Sequence, residues 1–168
     1  MLETKRLTLK NYTQEDFDFL YTMTSNPEVV RYIRTGEVYT KEQTAAALER
    51  MFKLYEKADY LGLKKIELKD TGIAIGQAGF LPQTIEGEAF IEIGYWIAKE
   101  HWKKGYATEI AQALRSFGEE TLQLDEIISL VHVENEGSRK VAEANGMTVK
   151  KSVELKGVPV NVYSTKQS

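Results

Sequence analysis

A strand apolar on both faces, Phe90-Ile91-Glu92-Ile93-Gly94-Tyr95-Trp96-Ile97, runs through a short basic turn into a helix that no side chain caps. A strand of that kind belongs inside a sheet covered on each side. The helix follows Ala98-Lys99-Glu100-His101-Trp102-Lys103-Lys104-Gly105, and its apolar residues Tyr106, Ile110, Ala113, Leu114 and Phe117 recur on one face. A helix that starts near Lys104 leaves the N–H groups of its first turn unpaired, yet Ser, Thr, Asp and Asn are all missing just before it. Water or a bound anion must accept those hydrogen bonds. Gly105 lets a large group approach the backbone, and Lys103 and Lys104 add positive charge, so the junction is expected to bind an anionic ligand.

Around this junction the chain alternates helical and extended periods. Arg6-Leu7-Thr8-Leu9 suggests a first strand, after which Thr13, with Asp16 three residues on, caps a helix that buries Phe17, Leu20 and Tyr21. Asn26-Pro27 ends it, and a second helix is expected over 40–57 with Ala47, Leu48, Met51, Leu54 and Tyr55 inward. Residues 60–68, 73–81 and 88–97 then read as three antiparallel strands, joined at Asp70-Thr71-Gly72 and by a loop over 82–87. Residues 127–133 form a buried strand reached through a crossover helix, so it should lie parallel to 90–97. A helix over 135–145, closed by Gly146, precedes a hairpin of 148–155 and 158–163, and Pro159 argues against a central place for the last strand. The expected fold is α/β with α+β character: a mixed, mostly antiparallel sheet of about seven strands with helices on both faces. No linker, repeat or low-complexity run divides the 168 residues, which predicts one domain over 1–168.

Charge and composition narrow the chemistry. Twenty-five acidic against 22 basic side chains give no bulk attraction to nucleic acid, and no run of more than two basic residues supplies a local patch. Met1-Leu2-Glu3-Thr4-Lys5-Arg6 lacks the apolar core of a signal peptide, and no stretch approaches the ~18 apolar residues of a membrane helix, so a soluble, cytoplasmic protein is expected. The absence of cysteine removes disulfides, thiolate metal sites and a cysteine nucleophile, and two isolated histidines argue against a zinc centre. No metal is expected. The available chemistry is that of carboxylates, hydroxyls, amides and a borrowed ligand.

Two parallel strands that each lead into a helix can splay at their carboxyl ends, where ligands of α/β sheets bind. Here that gap would lie between Trp96-Ile97-Ala98 and Val131-His132-Val133, with Asn135-Glu136-Gly137-Ser138 opposite the uncapped helix. Glu92 stands in the middle of an apolar strand, where desolvation would raise its pKa toward that of a useful base. A buried structural glutamate paired with Arg or Lys fits the same residue equally well. Tyr95 and Trp96 read as core aromatics, and His101 and His132 as structural or exposed residues.

His101-Trp102-Lys103-Lys104-Gly105-Tyr106-Ala107-Thr108-Glu109 resembles the acyl-CoA pyrophosphate loop of the GNAT superfamily of N-acyltransferases. Residues 92–97 resemble the strand before it, and Asn135-x-x-Ser138 with Asn145-Gly146-Met147 the following helix and its exit. The opening Thr4-Lys5-Arg6-Leu7-Thr8-Leu9 and Asn26-Pro27-Glu28-Val29-Val30 resemble the branch of Rim-type ribosomal-protein N-terminal acetyltransferases. The resemblance covers essentially the whole chain. It implies acetyl-CoA as cosubstrate, its pyrophosphate on the backbone N–H groups of Lys103, Lys104, Gly105, Tyr106, Ala107 and Thr108. It also implies a pantetheine arm paired with the backbone of Trp96, Ile97 and Ala98 and with the Asn135 amide. Trp102 stands in the first place of the usual loop pattern, and Lys103 where the Rim branch often has glycine. Many members carry a tyrosine donor in the last helix; the matching residue is Ala142, so Ser138 becomes the donor to the leaving sulfur and Glu92 the base.

The implied reaction moves an acetyl group from acetyl-CoA to a primary amine by direct attack. A CoA-binding sensor without turnover is the alternative, and it would make Glu92 and Ser138 dispensable. Asn135 and Ser138 also fit as ordinary residues of a helix start. The acceptor is a small-molecule amine or the α-amine of a ribosomal or other protein. Its choice falls to residues 24–40 with Arg31, Tyr32 and Arg34, to the loop 82–87 and to the final hairpin. A homodimer is compatible with the chain, which carries no signature of oligomeric state.

Overall fold

The structure, a computed structural model, describes residues 2–166. β1 (Leu7–Lys10) leads through a turn of 3-10 helix into α1 (Phe17–Thr24), and α2 (Lys41–Lys57) follows after a loop. Next come β2 (Gly62–Leu68), β3 (Ala74–Ile85) and β4 (Glu88–Ile97), then α3 (Tyr106–Glu120), β5 (Ile128–His132) and α4 (Glu136–Ala144). The chain closes with the hairpin of β6 (Thr148–Leu155) and β7 (Val158–Ser164). All seven strands form one sheet in the order β1-β2-β3-β4-β5-β7-β6. It is antiparallel everywhere except between β4 and β5.

The helices form because their starts and inner faces agree. At α2, Thr40 Oγ1 accepts from Gln43 N at 3.1 Å and Gln43 Oε1 accepts from Thr40 N at 2.8 Å, a reciprocal cap that satisfies two otherwise orphan donors. Thr44, Leu48, Met51 and Leu54 then face inward at helical spacing. Thr44 also bonds the Thr24 hydroxyl of α1 at 2.7 Å, so a buried polar pair fixes how the two helices meet. Trp96 packs with Leu20, Met23 and Leu48, whereas its neighbour Tyr95 reaches Ser138 of α4. Adjacent strand residues point to opposite faces, so α1 and α2 cover one face of the sheet and α4 the other. Ile110, Ala111 and Leu114 of α3 join Ile93 and Ile97 in the main core, where each fully buried Leu or Ile contributes about 1.5–3 kcal/mol. No helix among the described residues is long and apolar enough to cross a membrane.

Two expectations from the sequence are corrected. Residues 82–87 are mostly not a loop: β3 continues through Pro82, opposite Ile91, as far as Ile85. The turn is confined to Glu86 and Gly87, whose φ of 50° and 81° suit the tight hairpin turn that matches strand twist. Likewise, β7 is central, lying between β5 and β6, despite Pro159. The pairing with β5 ends at His132 opposite Val160, and Pro159 lies just past it: its carbonyl accepts from Val133 N at 3.3 Å, so its missing N–H costs only a bond at the fraying end of the ladder.

Candidate active site

The gap in the sheet is made by side chains that take over ladder bonds. Ala98 N donates to Ile75 O, and this register commits the backbones of Glu92, Gly94, Trp96 and Ala98 to β3, leaving those of Ile93, Tyr95 and Ile97 turned toward β5. Toward β5, however, the parallel pairing consists of Glu92 opposite Ile128. One residue further on, the Ser129 hydroxyl donates to Ile93 O at 3.0 Å, and the Leu130 N–H bears on the Glu92 carboxylate. With these rungs replaced, β4 and β5 part toward their carboxyl ends. Of the three residues expected along the pantetheine arm, Trp96 pairs with Gln77 of β3, Ala98 gives its N–H to Ile75 O and its carbonyl to His101 N, and Ile97 faces the gap. Its carbonyl accepts from Trp102 Nε1 at 2.7 Å.

Beyond β4, Gly105 occupies the N-cap of α3 with φ 80° and no side-chain cap. Glu109 N makes the first helical bond, to Gly105 O at 3.0 Å, so the N–H groups of Tyr106, Ala107 and Thr108 precede any helical partner. Lys103, Lys104 and Gly105 are exposed and the next three residues partly so; among the described residues no side chain makes the capping bond. Lys103 itself has φ 62°, so a lysine adopts the left-handed geometry that glycine favours, at a cost of about 1–2 kcal/mol. The arrangement is a row of outward N–H groups at the positive end of a 15-residue helix, flanked by two lysines.

Glu92 sits at the last paired rung, where the gap opens. Burial pushes its carboxyl up to about 7, against the opposing pull of a hydrogen bond from Gln83, the Leu130 N–H and the more distant Arg50 charge. Gln83 Nε2 donates to Oε1 at 2.7 Å, and no Arg or Lys lies in salt-bridge range among the described residues. The partner is therefore a neutral amide. A neutral partner leaves the carboxyl able to titrate near neutrality, which an ion pair would prevent. Gln83 went unnoticed in the sequence because it falls in the stretch expected to be a loop.

Across the gap, Asn135 caps α4: its Oδ1 accepts from Ser138 N at 3.1 Å, which leaves its Nδ2 free of that role. Tyr95, expected as a core aromatic, does more than fill space. Its hydroxyl lies 3.0 Å from Ser138 Oγ and 3.1 Å from Ser138 O, and burial raises its pKa to about 12, so it remains a donor. Tyr95 and Ser138 thus tie β4 to α4 over the splayed ends. The two faces of the gap differ. His132 packs at a tilt against Tyr32 with ring centroids 5.1 Å apart and its Nδ1 accepts from Glu134 N, while Tyr39 meets Trp96 edge-on at 6.2 Å. These aromatic contacts hold the segment between α1 and α2 over the ends of β4 and β5.

Fold and site together define a class: an α/β domain with an uncapped helix start beside a splayed parallel pair and a buried carboxyl at its base. The Acetyltransferase (GNAT) domain family matches residues 6–148. The chain belongs to the GNAT acetyltransferase family. YoaA of Bacillus subtilis, an uncharacterized N-acetyltransferase, is 32% identical over 98% of this chain and 95% of its own. The acetyltransferase from Agrobacterium tumefaciens str. C58 superposes with TM-score 0.83 at 30% identity, covering 99% of this chain and 94% of that one. RimL, a ribosomal L7/L12 α-N-protein acetyltransferase solved with coenzyme A, shares the fold at TM-score 0.76 and 19% identity, covering 96% and 94%.

Proposed function

We propose that this protein moves an acetyl group from acetyl-CoA to a primary amine by direct attack in a ternary complex, and that a protein N-terminal α-amine is the acceptor class. The observation that carries the reading is the open start of α3 beside the splayed ends of β4 and β5, with Glu92 where the splay begins. The residues present fit CoA. The N–H row at 106–108 with Lys103 and Lys104 suits a diphosphate, and the strand backbone facing the gap suits an amide-bearing arm. Bound there, acetyl-CoA supplies an acyl group activated as a thioester.

The chain's own groups have separate tasks. An α-amine of pKa ~8 is largely protonated at neutral pH and must lose a proton to attack. Glu92, poised near neutrality, takes that proton directly or through water. The Ile97 N–H, turned toward the gap, bonds the carbonyl oxygen as charge builds on it. Tyr95 Oη, which donates to Ser138 O and lies 3.0 Å from Ser138 Oγ, holds the serine hydroxyl in place to give its proton to the departing sulfur. Because the chain holds no cysteine, no cysteine acyl-enzyme forms, which agrees with direct transfer. The α-amine acceptor draws support from the activity in RimL's description and from the resemblance of residues 4–9 and 26–30 to that branch. A cytoplasmic location, where acetyl-CoA and new protein N-termini meet, goes with this reading.

Calorimetry with CoA, followed by thiol release from acetyl-CoA against a panel of peptides and small amines, tests the reading. Saturable CoA binding with peptide-dependent thiol release is the expected result. CoA binding without release for any amine would favour a sensor, and no CoA binding would end both readings.

A further inference from the structure

We infer that Arg6 is a positioning residue for the cofactor loop, holding Lys103, Lys104 and Gly105 in the shape that aims the N–H groups of Tyr106, Ala107 and Thr108 outward. The inference rests on the CoA reading above and adds to it a residue about a hundred positions away in sequence.

Three contacts converge on this one guanidinium, and it also passes close to Gly105. Nη1 donates to Lys104 O at 3.0 Å, and Nε donates to Glu109 Oε1 at 2.6 Å. The guanidinium carbon stands 4.4 Å over the ring of Tyr106. Nη2 lies 3.4 Å from where a Cβ on Gly105 would be. Lys104, Gly105, Tyr106 and Glu109 are the loop, the N-cap and the first turn of α3, so Arg6 grips each part of the junction. The neighbouring backbone reinforces the grip: Arg6 N donates to Glu109 Oε2 at 2.9 Å, and Thr4 Oγ1 donates to the same oxygen at 2.6 Å.

The loop needs such a brace. Lys103 and Gly105 both have positive φ, and the first turn has no cap of its own, so little local structure holds it in the absence of ligand. A carbonyl at Lys104 fixed by Nη1 cannot rotate toward the diphosphate position, where it would repel an anion. Glu109 poses a second problem, being a carboxylate in the first turn that competes with any anion for the positive helix end. Arg6 turns it aside and neutralises it. The Arg6–Glu109 pair is half exposed and adds little to global stability, so its effect should fall on ligand binding. Lysine cannot replace arginine here, because one ammonium lacks both the fork that serves two acceptors and the flat face that stacks on Tyr106.

The test compares CoA with S-acetylpantetheine, which lacks the diphosphate, using Arg6→Ala, Arg6→Lys and Glu109→Gln. Arg6→Ala should raise the Kd for CoA about tenfold or more, as expected for losing a charge-assisted bond. Arg6→Lys should fall between it and wild type. Turnover of S-acetylpantetheine should be unchanged in both, and Glu109→Gln should weaken CoA less than Arg6→Ala. The lysine and glutamine variants keep the test open should the alanine variant not fold. Wild-type affinity for CoA in the arginine variants, or equal losses with both donors, overturns the inference. Wild-type protein that does not bind CoA at all overturns the functional reading with it.

Discussion

The two long helices of this molecule begin in opposite ways, and β4 treats its two neighbours in opposite ways. α2 closes its start internally through Thr40 and Gln43, whereas α3 begins at an uncapped Gly105. β4 pairs with β3 along its whole length, but with β5 at Glu92. In both contrasts the satisfied partner lies away from the gap and the unsatisfied one borders it. Backbone groups that the chain readily pairs elsewhere are left open in one place, and such groups near a cleft are what a ligand can complete.

The sharpest challenge to this contrast is Gly105→Asp. Aspartate tolerates positive φ better than most residues, and a Cβ at Gly105 meets only Arg6 Nη2, at 3.4 Å, so the fold should survive. Its carboxylate opposes an anion at the open helix start, and CoA affinity by calorimetry should fall roughly a hundredfold or more. Next in size is Glu92→Gln, which keeps the shape and an acceptor for Gln83 but removes the base. Turnover should drop about a hundredfold with CoA affinity nearly unchanged. Ser138→Ala should lower turnover by about tenfold, again sparing affinity.

Stability against pH gives a test independent of substrate. Glu92 has its folded pKa raised from 4.5 to about 7, chiefly by burial. A raised folded pKa means the unfolded chain releases the proton first, so the contribution to stability is complete below about 4.5 and is lost as pH climbs through 7. Urea unfolding of wild type should lose up to about 3 kcal/mol relative to Glu92→Gln over that window. Activity that depends on the ionised base should rise over the same window, so stability and turnover move in opposite directions. The smallest effect belongs to the closed helix start. Thr40→Ala should cost about 1 kcal/mol of stability by the same unfolding assay and leave CoA binding untouched. Equal loss of CoA affinity in Thr40→Ala and Gly105→Asp would abolish the distinction between the two starts.

Much of the framework was legible because periodicity and turn chemistry are local. The strand at 88–97, the α2 span and the β6–β7 turn at Lys156-Gly157 all follow from residues a few positions apart. The open start of α3 was equally visible, since it depends on which residues are missing just before Tyr106. The prolines misled for a shared reason: whether Pro82 or Pro159 breaks a rung depends on where the neighbouring strand ends, which no local pattern records. At the site, Glu92 stood out as a carboxyl in an apolar run, but its neutral partner Gln83 could be seen only once β3 was known to continue. Tyr95 looked like core because aromatic residues in a buried strand usually are, and its bond to Ser138 requires the crossover to be folded. The role of Arg6 has no local signature, because what it touches lies 98 to 103 residues downstream.

The single parallel rung at Glu92 and Ile128 has a mechanical meaning. The sheet is two stiff leaves, one of β1 to β4 and one of β5 to β7, joined like a book at a narrow spine. Any rocking of one leaf on the other turns about Glu92, the carboxyl that burial holds near neutrality. A force that parts the two leaves therefore falls first on Glu92, whose carboxyl also meets the Leu130 N–H of the second leaf.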